Sequence, residues 1–198
     1  VVISHNHYDH MDLPSLRALN KKFKPKFIVP LGNAALLREE GIENVVELDW
    51  WQSEGVVQLV PAQHWSARGI YDRNKTLWGG YVINLPEKKI FFAGDTGYGP
   101  HFKMIRERVG SPDLAILPIG AYEPRSFMKD QHMNPEDAVQ AHLDLQAQRS
   151  FGMHFETFQL TDEGFDEPRR EVGASLEKFG LDRKTFFVPE FGETLVLK

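Results

Sequence analysis

His5-Asn6-His7-Tyr8-Asp9-His10 is the most informative segment of this 198-residue sequence. It follows directly on residues 1–4, an apolar run that is typical of a buried strand. Side chains alternate between the faces of a strand, so His5 and His7 point the same way. The chain then turns, which lets Asp9 and His10 face a neighbouring position. Four potential ligands within six residues suit two adjacent metal ions better than one.

Three further candidate ligands stand at the ends of predicted strands. His64 ends the run 56–63, Asp95 follows the run 89–94, and His154 closes the run 149–153. An Asp flanked by glycines can simply cap a turn. Those glycines also let the backbone approach a metal closely, and a carboxylate has two oxygens with which to bridge two cations. His132 precedes the N-terminus of a predicted helix, which is a natural place to meet an anion.

Composition limits the classes of protein to which the chain can belong. The 41% of hydrophobic residues is ordinary for a globular domain. Without cysteine the chain has no disulfide and no thiolate ligand, so metal ligands must be His, Asp or Glu. The net charge of -5 argues against a nucleic-acid surface, which needs a clustered basic face. The lack of cysteine fits the cytoplasm without excluding the periplasm, and no apolar run is long enough to span a bilayer.

The element pattern predicts one domain, residues 1–198, with a mixed sheet system and helices outside it. Helices are predicted for 12–23, 33–40, 100–110 and 168–179, and another, fourth in chain order, begins with Asn134 as its cap and Pro135 at its first position. Strands are predicted for 1–4, 26–30, 44–49, 56–63, 78–85, 89–94, 114–119, 149–154, 185–189 and 194–197. Because the chain opens on an apolar strand without Met, we expect it to be the C-terminal portion of a longer protein. Any N-terminal signal would then lie outside it.

The ordered set of candidate ligands resembles a known family. His-x-His-x-Asp-His, followed by His64, Asp95 and His154, is similar to the metallo-β-lactamase superfamily. Residues 61–65 (Pro-Ala-Gln-His-Trp), 92–98 (Phe-Ala-Gly-Asp-Thr-Gly-Tyr) and 118–125 (Pro-Ile-Gly-Ala-Tyr-Glu-Pro-Arg) resemble the branch of N-acylphosphatidylethanolamine-hydrolysing phospholipases D and their bacterial relatives.

The resemblance implies an α/β fold of the αββα type, a four-layer sandwich with its metals at one edge and with its N-terminal strands missing from this chain. It also implies two zinc ions. The first would be held by His5, His7 and His64, the second by Asp9, His10 and His154, with Asp95 as the bridge. Histidine and carboxylate ligands would also accept manganese or iron.

These ligands predict hydrolysis of a phosphodiester. Two metal ions about 3.5–4 Å apart lower the pKa of a shared water, and the hydroxide so held attacks phosphorus. Asp9 is predicted to orient that hydroxide besides binding metal. His132 is predicted to be catalytic and substrate-binding, as a hydrogen-bond donor to the phosphate or an acid for the leaving group. Tyr122 and Arg125 are candidate substrate-binding residues, although Arg125 fits a surface ion pair equally well.

We therefore predict a metal-dependent hydrolase of phospholipase D type that acts on a glycerophospholipid resembling an N-acylethanolamine phospholipid. A lactonase or other hydrolase on the same site, and a catalytically silent metal-binding protein, stay open as alternatives because superfamily members share ligands but not chemistry. A nuclease is disfavoured by the charge and by the 58 residues, 96–153, between Asp95 and His154, which leave no room for the inserted domain of that branch.

The expected partner is a small-molecule or lipid phosphodiester, and no nucleic acid. A cytoplasmic or peripheral membrane location, contact with a membrane surface and a homodimer are all compatible with the resemblance.

Overall fold

The computed structural model describes residues 1–196, which form six α-helices and nine β-strands. The helices are α1 (Leu13–Phe23), α2 (Ala34–Glu39), α3 (His101–Val109), α4 (Arg125–Met128), α5 (Pro135–Leu145) and α6 (Glu167–Lys178). The strands are β1 (Phe27–Pro30), β2 (Val45–Leu48), β3 (Ser53–Glu54), β4 (Val57–Val60), β5 (Gly80–Asn84), β6 (Lys89–Phe92), β7 (Leu114–Pro118), β8 (Arg149–Met153) and β9 (Phe186–Phe187). A short 3-10 turn, Arg183–Thr185, precedes β9.

The strands are arranged in two sheets. In the small sheet β1 and β2 are parallel, and Val2 adds a single parallel bridge to Ile28 in β1. The large sheet has the order β3-β4-β5-β6-β7-β8-β9, antiparallel as far as β6 and parallel from β6 to β9. Because β4 therefore runs in the same direction as β6, β7 and β8, the carboxyl ends of these four strands meet at one edge of the sheet.

Alternating side chains build four layers. In β1, Phe27 and Val29 pack with the residues of α1 and α2, whereas Ile28 points the other way, onto Tyr81 of the large sheet. In β5, the next residue after Tyr81, Val82, joins the core that the large sheet shares with α3, α5 and α6. The order helix, sheet, sheet, helix confirms the predicted αββα sandwich.

Local sequence signals explain where the helices begin. The Asn134 side chain accepts a hydrogen bond from the Asp137 N–H, and the Asp137 carboxylate faces the Asn134 N–H, which completes a capping box at the start of α5. Asp12 caps α1 in the same manner through the Ser15 N–H. The five predicted helices are confirmed within one or two residues, and α4 is an addition that the sequence did not signal.

Two of the predicted strands differ from the structure. Residues 1–4 pair with β1 only through the bridge at Val2, so they form an extended segment rather than a full strand. The strand predicted for 194–197 is wrong for residues 194–196, which are irregular, and residue 197 lies outside the described residues. Among residues 1–196, no helix combines the length and hydropathy that a membrane span requires.

One buried hydroxyl joins the two sheets. Tyr81 is completely buried, and its hydroxyl donates to the carbonyl of Ile3 at 2.8 Å and lies 3.2 Å from that of Ile28. The Ile3 carbonyl lies two residues before His5. The bond therefore also holds the segment from which the histidine motif emerges.

We expect Tyr81→Phe to lower the free energy of unfolding by about 1–2 kcal/mol, because the buried Ile3 carbonyl loses its donor. Chemical denaturation measured by fluorescence gives this value. Tyr71→Phe is the matched control, since Tyr71 is 85% exposed and should leave stability unchanged. Equal stabilities of the two variants would contradict the role given to the Tyr81 hydroxyl.

Candidate metal centre

The predicted ligands converge at the edge of the large sheet where parallel strands end. His64 follows β4, Asp95 follows β6, and His154 directly follows β8. The 5–10 motif comes to the same edge from the segment that pairs with β1. Residues far apart in the chain are therefore neighbours because the strands that precede them share a direction.

Asp95 lies at the centre of this edge. Its side chain is 2% exposed, and one of its oxygens, Oδ2, faces nitrogens of five histidines. The distances from Asp95 Oδ2 are 3.1 Å to His10 Nε2, 3.4 Å to His154 Nε2, 3.9 Å to His5 Nε2, 3.9 Å to His64 Nε2 and 4.0 Å to His132 Nδ1. A single carboxylate thus contacts both halves of the predicted ligand set.

Three histidines form one group of possible metal ligands. His5 Nε2 lies 2.8 Å from His7 Nδ1, and His64 Nε2 lies 3.3 Å from the same atom. The ligand atoms of these three side chains all fall within 4.8 Å of one another. Hydrogen bonding between imidazoles needs one donor and one acceptor for each contact, so it cannot serve three converging nitrogens as well as a cation can.

Outer partners orient two of these rings. Ser4 Oγ lies 2.9 Å from His5 Nδ1, and the carbonyl of Gln131 lies 3.0 Å from His64 Nδ1. With Nδ1 bound in this way, the Nε2 atoms of His5 and His64 are left facing Asp95 and His7. Metal-binding histidines commonly have such a partner on the other ring nitrogen. Ser4 and Gln131 are functional residues that sequence reasoning missed.

A second group consists of Asp9, His10, Asp95 and His154. Asp9 Oδ2 lies 3.2 Å from His10 Nε2 and 3.4 Å from His154 Nε2. Both carboxylates therefore face the same two imidazoles. This is the grouping expected for the second metal, and it shares Asp95 with the surroundings of the first.

Burial and charge determine the protonation of the cluster. Burial lowers the pKa of His5 well below its ordinary value and that of His64 to about 3, which leaves neutral imidazoles with a free lone pair. Burial acts to raise the pKa of Asp95, but the charges of His154 and His10 outweigh it and hold that pKa well below its usual range. Burial likewise opposes the charged form of His10, yet the carboxylates of Asp95 and Asp9 raise its pKa to about 10.

The donor set fits a pair of divalent cations. Neutral imidazole and carboxylate are ligands that zinc, manganese and iron accept. Among the described residues, Asp95 has a buried side-chain oxygen, Oδ1, that has no hydrogen-bond partner. Buried polar atoms without partners are costly, and cations in the two groups would give this edge the positive charge that its carboxylates require.

The histidine motif is held by contacts that the sequence did not reveal. Met11 is completely buried directly after the motif. The Arg68 guanidinium donates to the carbonyls of Asn6 at 3.0 Å and Met11 at 2.9 Å, and it lies 4.1 Å from the centre of the Tyr8 ring. A charged side chain therefore fixes both ends of the loop that carries His7, Asp9 and His10.

Backbone geometry brings two segments of the site unusually close. Gly94, directly before Asp95, has φ +63°, and a Cβ built on it would lie 2.5 Å from the Ser4 Cβ. Only glycine accommodates both conditions. His154 also has a positive φ, 60°, a conformation that non-glycine residues adopt mainly where the surrounding structure holds them.

His132 lies beside the cluster, as predicted for a residue that acts on substrate. Its ring centre is 5.0 Å from that of His64 and 5.7 Å from that of His154. Burial lowers the pKa of His132. Its Nδ1 is buried without a hydrogen-bond partner among the described residues. His64, Asp95 and His132 also form a third group of possible ligands, so the geometry alone allows His132 either role.

The substrate contacts predicted for Arg125 and Tyr122 do not fit the structure, whereas the alternative of an ion pair for Arg125 does. Arg125 Nη1 donates to the His132 carbonyl at 2.8 Å, and Nη2 lies 2.5 Å from the carboxylate of Asp137, so the guanidinium is bound within the protein. Tyr122 is 1% exposed, and its hydroxyl donates to Glu171. Arg125 therefore braces the segment that carries His132, and Tyr122 belongs to the core, because tertiary contacts that sequence motifs do not show take up both side chains.

Arg73 is a site residue that the sequence gave no reason to select. It lines a cavity of about 360 Å³ together with His7, Asp95 and His132. Its guanidinium lies 4.5 Å from the centre of the Trp65 ring, and it forms no ion pair with any of the described residues. The cavity at the metal centre thus has one cationic side chain that is available to an anion.

Comparison with known proteins agrees with this geometry. The family model described as the beta-lactamase superfamily domain matches residues 1–155. The chain is 38% identical to the N-acyl-phosphatidylethanolamine-hydrolyzing phospholipase D, mitochondrial, of Saccharomyces cerevisiae, over 98% of the chain and 44% of that protein. It is 37% identical to N-acyl-phosphatidylethanolamine-hydrolyzing phospholipase D 1 of Caenorhabditis elegans, over 97% of the chain and 59% of that protein. The chain thus spans about half the length of these two relatives.

Two further relatives are matched over more of their length. The chain is 32% identical to a metal-dependent hydrolase of Solibacter usitatus, over 92% of the chain and 78% of that protein. The solved structure of Igni18, a metallo hydrolase of Ignicoccus hospitalis, superimposes with a TM-score of 0.75 at 27% identity, over all of the chain and 78% of Igni18. The matched family model, these relatives and the four-layer fold show that the chain belongs to the β-lactamase superfamily.

Proposed function

We propose that this chain carries the active site of a dinuclear zinc hydrolase of phospholipase D type, whose substrate is a glycerophospholipid phosphodiester. The observation that carries the proposal is the position of Asp95 Oδ2, within 3.1–4.0 Å of nitrogens from five histidines. The yeast and nematode relatives support the choice of substrate class, because both are named as phospholipases D that hydrolyse N-acyl-phosphatidylethanolamine.

The proposed ligands follow the two geometric groups. His5, His7 and His64 hold one ion, Asp9, His10 and His154 hold the other, and Asp95 bridges them. When bound, two such cations lower the pKa of a water molecule and offset the negative charge of the phosphate oxygens. Manganese or iron would suit the same donors.

The chain's own residues then position the reactants. Hydrogen bonds from His10 and His154 outweigh the effect of burial and hold the pKa of Asp9 far below its usual value, so this carboxylate stays ionised and can accept a hydrogen bond that orients the attacking water. His132 faces the same cavity and donates an N–H to the phosphate or a proton to the leaving alcohol. The bond from water oxygen to phosphorus forms and the bond from phosphorus to the headgroup oxygen breaks. The proton that the water gives up is taken by the departing oxygen, directly or through His132.

Direct assay separates this proposal from its alternatives. The full-length, zinc-loaded protein is assayed in parallel with N-acylphosphatidylethanolamine, a chromogenic phosphodiester and a lactone. We expect turnover of the two phosphodiesters and little of the lactone. Lactone turnover alone would favour a lactonase, and no turnover with less than about one equivalent of metal, by elemental analysis, would favour a silent binding protein.

Asp95→Asn tests the bridge. The amide lacks the charge that two cations share, so metal affinity should fall by more than the roughly 10–100-fold that loss of an outer partner costs, and hydrolysis should nearly vanish. Asp144→Asn is the control, because Asp144 is also a buried carboxylate, but it accepts a hydrogen bond from Tyr98 and belongs to neither proposed ligand group. Elemental analysis and the phosphodiester assay give both readouts. Full activity in Asp95→Asn would refute the bridging role.

His132→Ala tests the role proposed for this side chain in the reaction. We expect the variant to keep its metal while kcat falls about 10²–10⁴-fold, the usual contribution of a general acid. His132→Gln, which keeps an N–H donor, should recover part of the rate if the donor acts on the phosphate. Metal loss in His132→Ala would move the residue into the ligand set instead.

Arg73→Gln tests recognition of the substrate's negative charge. A charge-assisted hydrogen bond at an exposed position should be worth about tenfold in KM for the phosphodiester, with kcat and lactone kinetics little changed. Arg108→Gln is the matched control, because Arg108 also lies over a tryptophan ring, Trp51 at 4.3 Å, but does not line the cavity. The same KM in both variants would show that Arg73 does not take part in substrate recognition.

A further inference from the structure

A groove adjoins the metal centre, and one loop forms most of its wall. The groove has a volume of about 230 Å³, and Asp9 and His154 are among its lining residues. Its wall includes residues 155–160 and 163–165, here called the 155–165 loop, which begins directly after His154. Asp9, Ala121, His154 and Leu160 line both this groove and the larger cavity, so the two spaces adjoin.

The exposed apolar side chains of this loop are not held by the core. Phe158 is 65% exposed, Leu160 56% and Phe165 55%. Exposed apolar side chains gathered around one groove mark a surface that receives a nonpolar ligand. Because these side chains contribute little packing, the position of the loop depends on polar contacts.

Glu163 supplies the most concentrated of these contacts. Its carboxylate accepts the Ala121 N–H at 2.6 Å through Oε1, and the Glu123 N–H at 3.0 Å and the Thr161 hydroxyl at 2.6 Å through Oε2. The residue is 9% exposed. Burial acts to raise the pKa of Glu163, but these donors outweigh it and lower that pKa, so the group is ionised and all three bonds are charge-assisted.

The two backbone partners of Glu163 belong to a different part of the fold. Ala121 and Glu123 follow β7, forty residues earlier in the chain, at the same sheet edge as the ligands. At the start of the loop, Glu156 pairs with Arg169 of α6, which also donates to the carbonyls of Val188 and Pro189. The loop is therefore fixed at both ends, and the Glu163 carboxylate fixes the end nearest to Leu160.

We propose that Glu163 is a positioning residue that sets substrate selectivity, by fastening the 155–165 loop so that its apolar side chains receive an alkyl or acyl chain of the substrate beside the metal centre. This inference rests on the proposed function.

The test compares p-nitrophenyl phosphodiesters that differ only in a methyl, butyl or octyl ester group. In the full-length wild-type protein we expect kcat/KM to rise by up to about fourfold for each methylene that enters the groove. In Glu163→Ala this rise should flatten through a higher KM for the octyl ester. The kcat for the methyl ester and the metal content should stay at the wild-type values.

Three variants make the result specific. Thr161→Val and Glu163→Gln each weaken the contact without removing it, so they should give intermediate slopes and serve if Glu163→Ala does not fold by circular dichroism. Glu171→Ala is the matched control, because Glu171 accepts from Tyr122 in the same post-β7 segment but, among the described residues, forms no hydrogen bond with residues 155–165. It should keep the wild-type dependence on chain length.

Other results would contradict the role of Glu163 or, separately, the proposed function. An equal loss for methyl and octyl esters, or a loss of metal in Glu163→Ala or Thr161→Val, would overturn the selectivity role. If the wild-type protein cleaves none of the esters, the proposed function fails separately. In that case the role of the loop is tested by calorimetry with methyl phosphate and octyl phosphate. The inference is supported if the wild-type protein binds octyl phosphate more tightly than methyl phosphate and Glu163→Ala abolishes this difference. Equal binding of the two compounds by the wild-type protein overturns it.

Discussion

The rest of this site depends on a carboxylate that the protein keeps charged in its interior. Asp95 has almost no contact with water, and a buried charge is tolerated only when it is paired or bound to metal. It follows β6, near the middle of the seven-stranded sheet, so neighbouring strands fix its place. Strand ends and the histidine motif therefore bring imidazoles around it, and Gly94 provides the close backbone approach that this arrangement requires.

Many of the side chains at this edge were predictable from the sequence, because the regular geometry of strands determines where the residues that follow them lie. Parallel strands end at the same edge, so a His or Asp directly after an apolar run already indicates proximity, as for His64, Asp95 and His154. Local signals worked equally well for helices, since Asn134 and Pro135 act on their own first turn. The assignment of the two ligand groups came from the resemblance, and the observed clusters agree with it.

The remaining residues could not be found because only the folded arrangement determines which groups they contact. Arg125 looked like a phosphate ligand, but the His132 carbonyl and the capping residue Asp137 bind it. Tyr122 is taken into the core by contacts that no local pattern shows. Ser4, Gln131 and Arg73 have ordinary identities, and only the folded arrangement places them beside the cluster.

Three charged side chains around the site, those of Arg68, Arg125 and Glu163, stabilise loops in the same way, by binding backbone groups. This explains how the residues for chemistry and the residues for substrate selectivity can be separate in such a fold. Arg68 binds the carbonyls of Asn6 and Met11, Arg125 binds that of His132, and Glu163 binds the amides of Ala121 and Glu123. A charged side chain that recognises backbone requires no particular side chain in return. The braced loops can therefore change the side chains that they present while their positions persist. Ligands held on strand ends can then keep their positions while the walls around them adapt to different substrates.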